Sequence, residues 1–163
     1  MKEKFQNKYR IPSARLQKWD YQWAAAYFIT ICTKDRLHYF GKIQNGTMVL
    51  NEIGNIVMIE WMKTIEIRPD MNLELGEFVV MPNHFHGILI IGDNEFNGRD
   101  ALHCVSTGTS SVIPNQFGPQ RKNVSSVIRG FKSSVTKNAR ILNPDFAWQT
   151  RFHDHIIRDA PSF

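Results

Sequence analysis

The chain of 163 residues carries 20 Lys+Arg against 15 Asp+Glu, a formal net charge of +5, and is 42% hydrophobic. That length suits one domain with a real core, the composition excludes a disordered chain, and no apolar run approaches the roughly 20 residues of a membrane-crossing helix. Two scattered thiols, Cys32 and Cys104, form neither a disulfide framework nor a zinc pattern and fit a reducing cytoplasm, while the excess of cations favours a polyanion such as nucleic acid, a merely basic soluble protein being the alternative.

Residues 1–22 form a basic and aromatic N-terminal segment, in which Lys2, Lys4, Lys8, Arg10, Arg15 and Lys18 interleave with Phe5, Tyr9, Trp19 and Tyr21. Cations meet phosphates while rings stack on bases, so the segment suits single-stranded nucleic acid; the alternative is a tail that packs its rings on the domain. No apolar stretch follows Met1, and no signal peptide is expected. Ala24 to Thr33 is rich in β-branched and aromatic residues and reads as a strand. Lys34-Asp35-Arg36 breaks it, and Lys34 and Arg36 at the exit are candidate phosphate contacts unless they are ordinary solvated turn charges. Tyr39-Phe40 and Met48-Val49-Leu50 flank Gln44-Asn45-Gly46, whose Asn-Gly step predicts the turn of a small β-ribbon.

Asn51 is placed to cap a helix whose residues Ile53, Ile56, Val57, Trp61 and Ile65 recur on one face up to about Ile67. Arg68-Pro69-Asp70 ends it, and nothing on this helix points to chemistry. Leu73 to Met81 and His84 to Ile91 then read as antiparallel strands joined at Pro82-Asn83. Side chains alternate along a strand, so His84, His86, Ile88 and Ile90 share one face while Phe85, Leu89 and Ile91 share the other. Both faces are apolar, which predicts a central strand buried on both sides. Two imidazoles on one face at the mouth of such a strand make half of a divalent-metal site.

Residues 92–123 are rich in Gly, Ser, Thr, Asn and Asp, a long polar connection of the mobile or functional kind, and the adjacent His103-Cys104 within it reads as incidental. Asn123 to Ile141 predicts a second helix, with Val124, Val127, Ile128, Phe131 and Val135 as its core stripe. Its other side carries Arg129, Lys132, Lys137 and Arg140, preceded by Arg121 and Lys122, and this basic face suits a sugar–phosphate backbone unless it is simply solvated. Trp148 to Ile157 reads as the last strand, on which His153-Asp154-His155 is a second His-x-His and a rival ligand pair. The order of elements is that of an α+β, ferredoxin-like split βαβ fold (β-α-β-β-α-β), with an antiparallel four-stranded sheet, helices on one face and the β-ribbon as an insertion.

The stretch Val79-Val80-Met81-Pro82-Asn83-His84-Phe85-His86-Gly87 resembles the His-hydrophobic-His (HUH) motif of single-tyrosine transposases, in the branch of REP-associated tyrosine transposases. Other segments are similar to the same branch and in its order: Arg15-Leu16 with Trp19-Asp20-Tyr21, Tyr27 to Thr33, Phe40-Gly41-Lys42-Ile43, and Trp148-Gln149 followed by Phe152 to Arg158. The resemblance spans nearly the whole chain and makes residues 23–163 an HUH transposase domain, with the family's ferredoxin-like fold. It implies cleavage and rejoining of single-stranded DNA through a covalent 5′-phosphotyrosine, with Mg or Mn held by His84 and His86. It implies hairpin-bearing single-stranded DNA as partner, no membrane, and a monomer or homodimer. Arg10 and Arg15 then fall where the family reads a short guide strand beside the hairpin, and the segment around His153 and His155 belongs mainly to the sheet.

Magnesium prefers oxygen, so a two-imidazole site implies weak binding until DNA supplies ligands. The family's nucleophilic tyrosine and a third, polar ligand lie on a helix after the last strand, whereas Tyr9, Tyr21, Tyr27 and Tyr39 all precede the HUH strand. The resemblance therefore places the nucleophile beyond Phe163, with Asp159-Ala160-Pro161-Ser162 as the start of that helix, and implies that the 163 residues alone are inactive. Two alternatives stand beside the transposase: a non-catalytic DNA-hairpin binding module, and a metal-dependent phosphodiesterase in which water attacks.

Overall fold

The computed structural model describes residues 4–5, 8–9, 21–94 and 121–157. Arg10, Arg15, most of the polar connection with His103-Cys104, and Asp159 to Ser162 lie outside them. Strands β1 (Lys4–Phe5) and β2 (Lys8–Tyr9) pair antiparallel. Strand β3 (Ala25–Cys32) is followed by the ribbon β4 (Gly41–Gln44) and β5 (Thr47–Leu50), helix α1 (Glu52–Glu66), strands β6 (Leu73–Met81) and β7 (His84–Ile91), helix α2 (Val124–Leu142) and strand β8 (His153–Ile157). The main sheet has the order β6-β7-β3-β8, and every neighbouring pair is antiparallel. This is the split βαβ arrangement: β3-α1-β6 steps over β7, and β7-α2-β8 steps over β3.

That topology decides which face is covered. The second βαβ unit runs in the opposite strand direction and steps the opposite way across the sheet, so it is the first turned by half a rotation about the sheet normal. With the usual right-handed crossover, both helices land on the same face. Tyr27, Ile29 and Ile31 of β3 and Phe85 and Leu89 of β7 point there and have no exposed surface. Ile88 and Ile90, expected to be buried, are only half-buried on the side away from the helices. The expectation that β7 is buried on both sides is therefore corrected.

Trp61 of α1 anchors the core, its ring 4.8 Å from Phe85 and 5.2 Å from Phe131 of α2. Gly87 makes room for it, since a Cβ there would stand 2.9 Å from Trp61 Cζ2 and 2.8 Å from Phe85 Cζ. The glycine that follows the two histidines is thus a packing residue. Glu60 is the buried polar contact between the helices: its carboxylate accepts from Ser134 Oγ, from Asn138 Nδ2 at 3.1 Å and from Lys63 Nζ at 3.4 Å. Both helix starts are capped as their sequences demand, with Asn51 Oδ1 accepting from Gly54 N at 2.9 Å and Asn123 forming a reciprocal capping box with Ser126.

Three local expectations shift, and strand β6 carries a bulge. The first ribbon strand is Gly41–Gln44 rather than Tyr39-Phe40, because Phe40 is wholly buried and turns the chain into the ribbon. On α1, Ile65 is exposed and Glu60 and Thr64 take the buried positions. A bulge between Leu75 and Phe78 keeps both side chains on the helix face, opposite Leu89 and Gly87, despite their odd spacing. Finally, Trp148 is not in a strand but makes one isolated bridge to Thr33, and β8 begins only at His153.

Candidate functional site

The β6–β7 corner is pinned from β3. Thr33 is wholly buried; its amide donates to Asn83 O at 3.0 Å, its hydroxyl lies 2.8 Å from Leu37 O and 3.0 Å from Asn83 O, and the amide of Phe40 donates to Pro82 O at 3.0 Å. His84 therefore opens β7 opposite Cys32, and His86 stands opposite Thr30. Their rings meet edge-on with centroids 4.7 Å apart, on the face that no helix among the described residues covers.

Each ring is held by its Nδ1. Asn83 Oδ1 lies 2.7 Å from His84 Nδ1, while the same amide's Nδ2 donates to Arg36 O at 3.1 Å. An amide oxygen only accepts, so His84 Nδ1 carries the proton and Nε2 keeps its lone pair. His86 Nδ1 lies 2.9 Å from Thr30 Oγ1, a hydroxyl that can donate or accept. Burial lowers both imidazoles below the ordinary value of 6.5, with the Arg36 charge adding to the effect on His84 and His84 adding to that on His86. Both are thus neutral at pH 7, the form that binds metal.

The donor set fits a divalent ion in part. Among the described residues no three His, Cys, Asp or Glu side chains come together as a metal group, so Cys32 does not complete one. Two imidazoles are what this part of the chain offers. His153 and His155 do share the face of His84 and His86, but β3 intervenes and the two pairs do not join in one metal group.

The candidate DNA contacts divide. Lys34 and Arg36 are exposed at the exit of β3, at the His84 end of the sheet. On α2 the cations are not equivalent. Lys122 pairs with Asp70 at 3.3 Å. Lys132 Nζ donates to Gln149 O at 2.8 Å and Arg151 O at 3.0 Å, over the Trp148 ring, and burial lowers its pKa. That amine holds the segment before β8. Arg121 and Arg129 are exposed near the start of α2. Lys137 and Arg140 are exposed beside a cleft of about 620 Å³ whose opposite wall is Trp148, Gln149 and Thr150. Gln149 N donates to Cys32 O at 2.9 Å, so this cleft adjoins the end of β3 that faces His84.

No family model matches the chain. A Haemophilus influenzae protein described as uncharacterized is 37% identical over 152 residues, covering 93% of this chain and 81% of that protein. The chain belongs to the same family as that protein. A solved structure of a REP-associated tyrosine transposase bound to a REP hairpin matches 92% of this chain with a TM-score of 0.51 at 17% identity. This chain spans 66% of that solved chain. The two chains share a fold.

Within this fold the side chains of Tyr21, Tyr27 and Tyr39 each have a partner other than the histidines. Tyr27 points to the helix face and donates its hydroxyl to Trp23 O at 3.0 Å. Tyr21 packs against Tyr27 with centroids 5.9 Å apart, and Tyr39 donates to Asp145 O at 3.1 Å. Sequence reasoning missed Thr30 and Asn83 as partners of the two rings. Asn83 carried a signal, being next to His84; Thr30 lies 56 residues from His86 and only the strand register joins them.

Proposed function

We propose that this chain binds hairpin-bearing single-stranded DNA and holds a phosphodiester at His84 and His86 for transfer to a tyrosine hydroxyl. The observation that carries the reading is the pair of Nδ1-held imidazoles on one sheet face that no described helix covers, in a fold shared with a transposase solved on a REP hairpin. His84 and His86 would hold Mg or Mn through Nε2, with His86 in the tautomer that donates from Nδ1 to Thr30. Such an ion supplies Lewis-acid polarisation of a phosphoryl oxygen. Lys34 and Arg36 offset the charge of flanking phosphates at the same end of the sheet, and Arg10, Arg15, Arg121, Lys122, Arg129, Lys132, Lys137 and Arg140 are the further candidate DNA contacts.

In the transfer, the tyrosine oxygen bonds to phosphorus as the bond to the 3′ oxygen breaks. The phenol proton ends on the departing 3′ oxygen, giving a 5′-phosphotyrosine and a 3′-hydroxyl. One phosphoester replaces another, so no nucleotide is consumed. A phenol with a pKa of about 10 is a weak nucleophile at pH 7, so offsetting the phosphate charge is the central demand on the site.

The hydroxyls of Tyr27, on the opposite sheet face, and of Tyr39 are engaged with backbone carbonyls, and this favours a second reading for the 163 residues alone, a hairpin-binding module without cleavage. The test incubates a DNA hairpin with single-stranded flanks and Mn with this chain, and with a chain continued past Phe163 to include a tyrosine. An adduct on a denaturing gel, lost in His84→Ala, supports transfer. Binding without cleavage by both chains leaves the module. Cleavage without an adduct replaces tyrosine by water and makes the protein a phosphodiesterase.

A further inference from the structure

The open sheet face carries more than the two candidate ligands. Two rows stand in register across β7, β3 and β8: His86, Thr30 and His153 form one, and Ile88, Phe28 and His155 the next. Phe28 stacks on His86 with centroids 5.2 Å apart and planes at 23°, and His86 in turn meets the edge of His84. Phe28 and His155 are direct cross-strand partners on one face, a relation that brings Cβ atoms to about 4.5–5.5 Å. Rings therefore succeed one another from His84 and His86, over Phe28, to His155 on the edge strand. Phe28 is half-buried and His153 and His155 are exposed.

Aromatic and imidazole rings on the uncovered face of a four-stranded sheet can stack on unpaired nucleobases. We propose that Phe28 and His155 form a base-stacking seat beside the histidine pair, taking the nucleobase next to the phosphate held there. The occupant is single-stranded DNA, and its position rests on the phosphate site of the proposed function. Charge sets the direction. Lys34 and Arg36 stand at the His84 end, whereas exposed Glu74, opposite Ile90, lies at the far end of the same face on β6. A polyanion entering at His84 is steered across β3 to β8, where Arg151 is exposed just before the strand, rather than along β7 towards Glu74.

The test measures anisotropy of a dye-labelled oligo-dT in the presence of a chelator, so that no cleavage intervenes, with a duplex of equal length as control. Phe28→Leu keeps an apolar side chain but removes the ring. It is expected to weaken single-strand binding by about fivefold to a hundredfold, the worth of one base stack, while Phe28→Tyr restores it and the duplex is unaffected. His155→Ala is expected to weaken the same binding severalfold. Unchanged binding by Phe28→Leu, with a thermal melt like that of the parent, overturns the seat. So does an equal loss on the duplex. A ring-dependent preference for oligo-rU over oligo-dT overturns the assignment to DNA. A covalent adduct formed normally by Phe28→Leu with unchanged affinity sinks the seat alone, whereas ring-dependent binding without any adduct from the extended chain sinks only the transfer reaction.

Discussion

Thr30→Val tests the histidine pair with the least disturbance to the fold. Valine has the shape of threonine and suits a strand, and Thr30 is half-buried on the open face, so packing is nearly conserved. What disappears is one oxygen, 2.9 Å from His86 Nδ1. A typical hydrogen bond contributes about 0.5–1.5 kcal/mol net, so the unfolding free energy should fall by about that much. The effect on metal is expected to be larger. Without Thr30 the His86 ring loses the hydrogen-bond partner that holds its orientation, and loss of such a partner lowers metal affinity roughly 10–100-fold, about 1.4–2.7 kcal/mol. Isothermal titration with Mn in the presence of a DNA hairpin, set beside a urea melt of each protein, separates the two quantities. Thr30→Ser retains the oxygen and should bind Mn like the parent. Equal Mn affinity in Thr30→Val and parent would refute the orienting role, and parent protein that takes up no Mn even with DNA would refute the metal site itself.

Other outcomes follow from the same structure. Gly87→Ala drives a Cβ to within 3 Å of Trp61 and Phe85 and should destabilise the fold by about 1–3 kcal/mol in a denaturant melt, leaving secondary structure intact. Glu60→Ala removes the acceptor shared by Ser134 and Asn138 at the α1–α2 contact and should lower stability by about 1–3 kcal/mol, a loss that Glu60→Gln partly recovers because its amide oxygen can still accept. His84 and His86 are held below 6.5, so below that pH the unfolded chain takes up protons before the folded one. Their contribution to stability is thus fully present above pH 6.5 and is lost as pH falls through 6.5 towards the lowered values; imidazole NMR titration should give both midpoints below 6.5, and midpoints at or above it would contradict the assignment.

Much of the fold was legible in the residues because its determinants are local. Asn51 and Asn123 cap their helices through atoms three residues away, Pro69 closes the first helix, and Asn45-Gly46 turns the ribbon. The alternation from His84 to Ile91 likewise put both imidazoles on one face. Two readings failed where hydropathy was asked to report tertiary surroundings. Ile88 and Ile90 look like core residues in the sequence, yet the side of the sheet that receives the helices is set by the crossovers. Trp148 looks like strand, yet its ring packs near Phe40, Phe131 and Phe146 and its backbone makes an isolated bridge to Thr33.

By itself the sequence determined the order of elements, their caps and the shared face of His84 and His86, all of which depend on neighbours within a turn or a strand. Only the tertiary structure decided which distant residues meet that face. Strand register placed Thr30 on His86, Phe28 between His86 and His155, and Thr33 under the Asn83 corner. It also engaged Lys132 with two carbonyls and left Lys34 and Arg36 exposed at the histidine end of the sheet. Register is a relation between strands far apart in the chain, set by packing and by hydrogen bonds across the sheet, and no periodicity within one strand contains it.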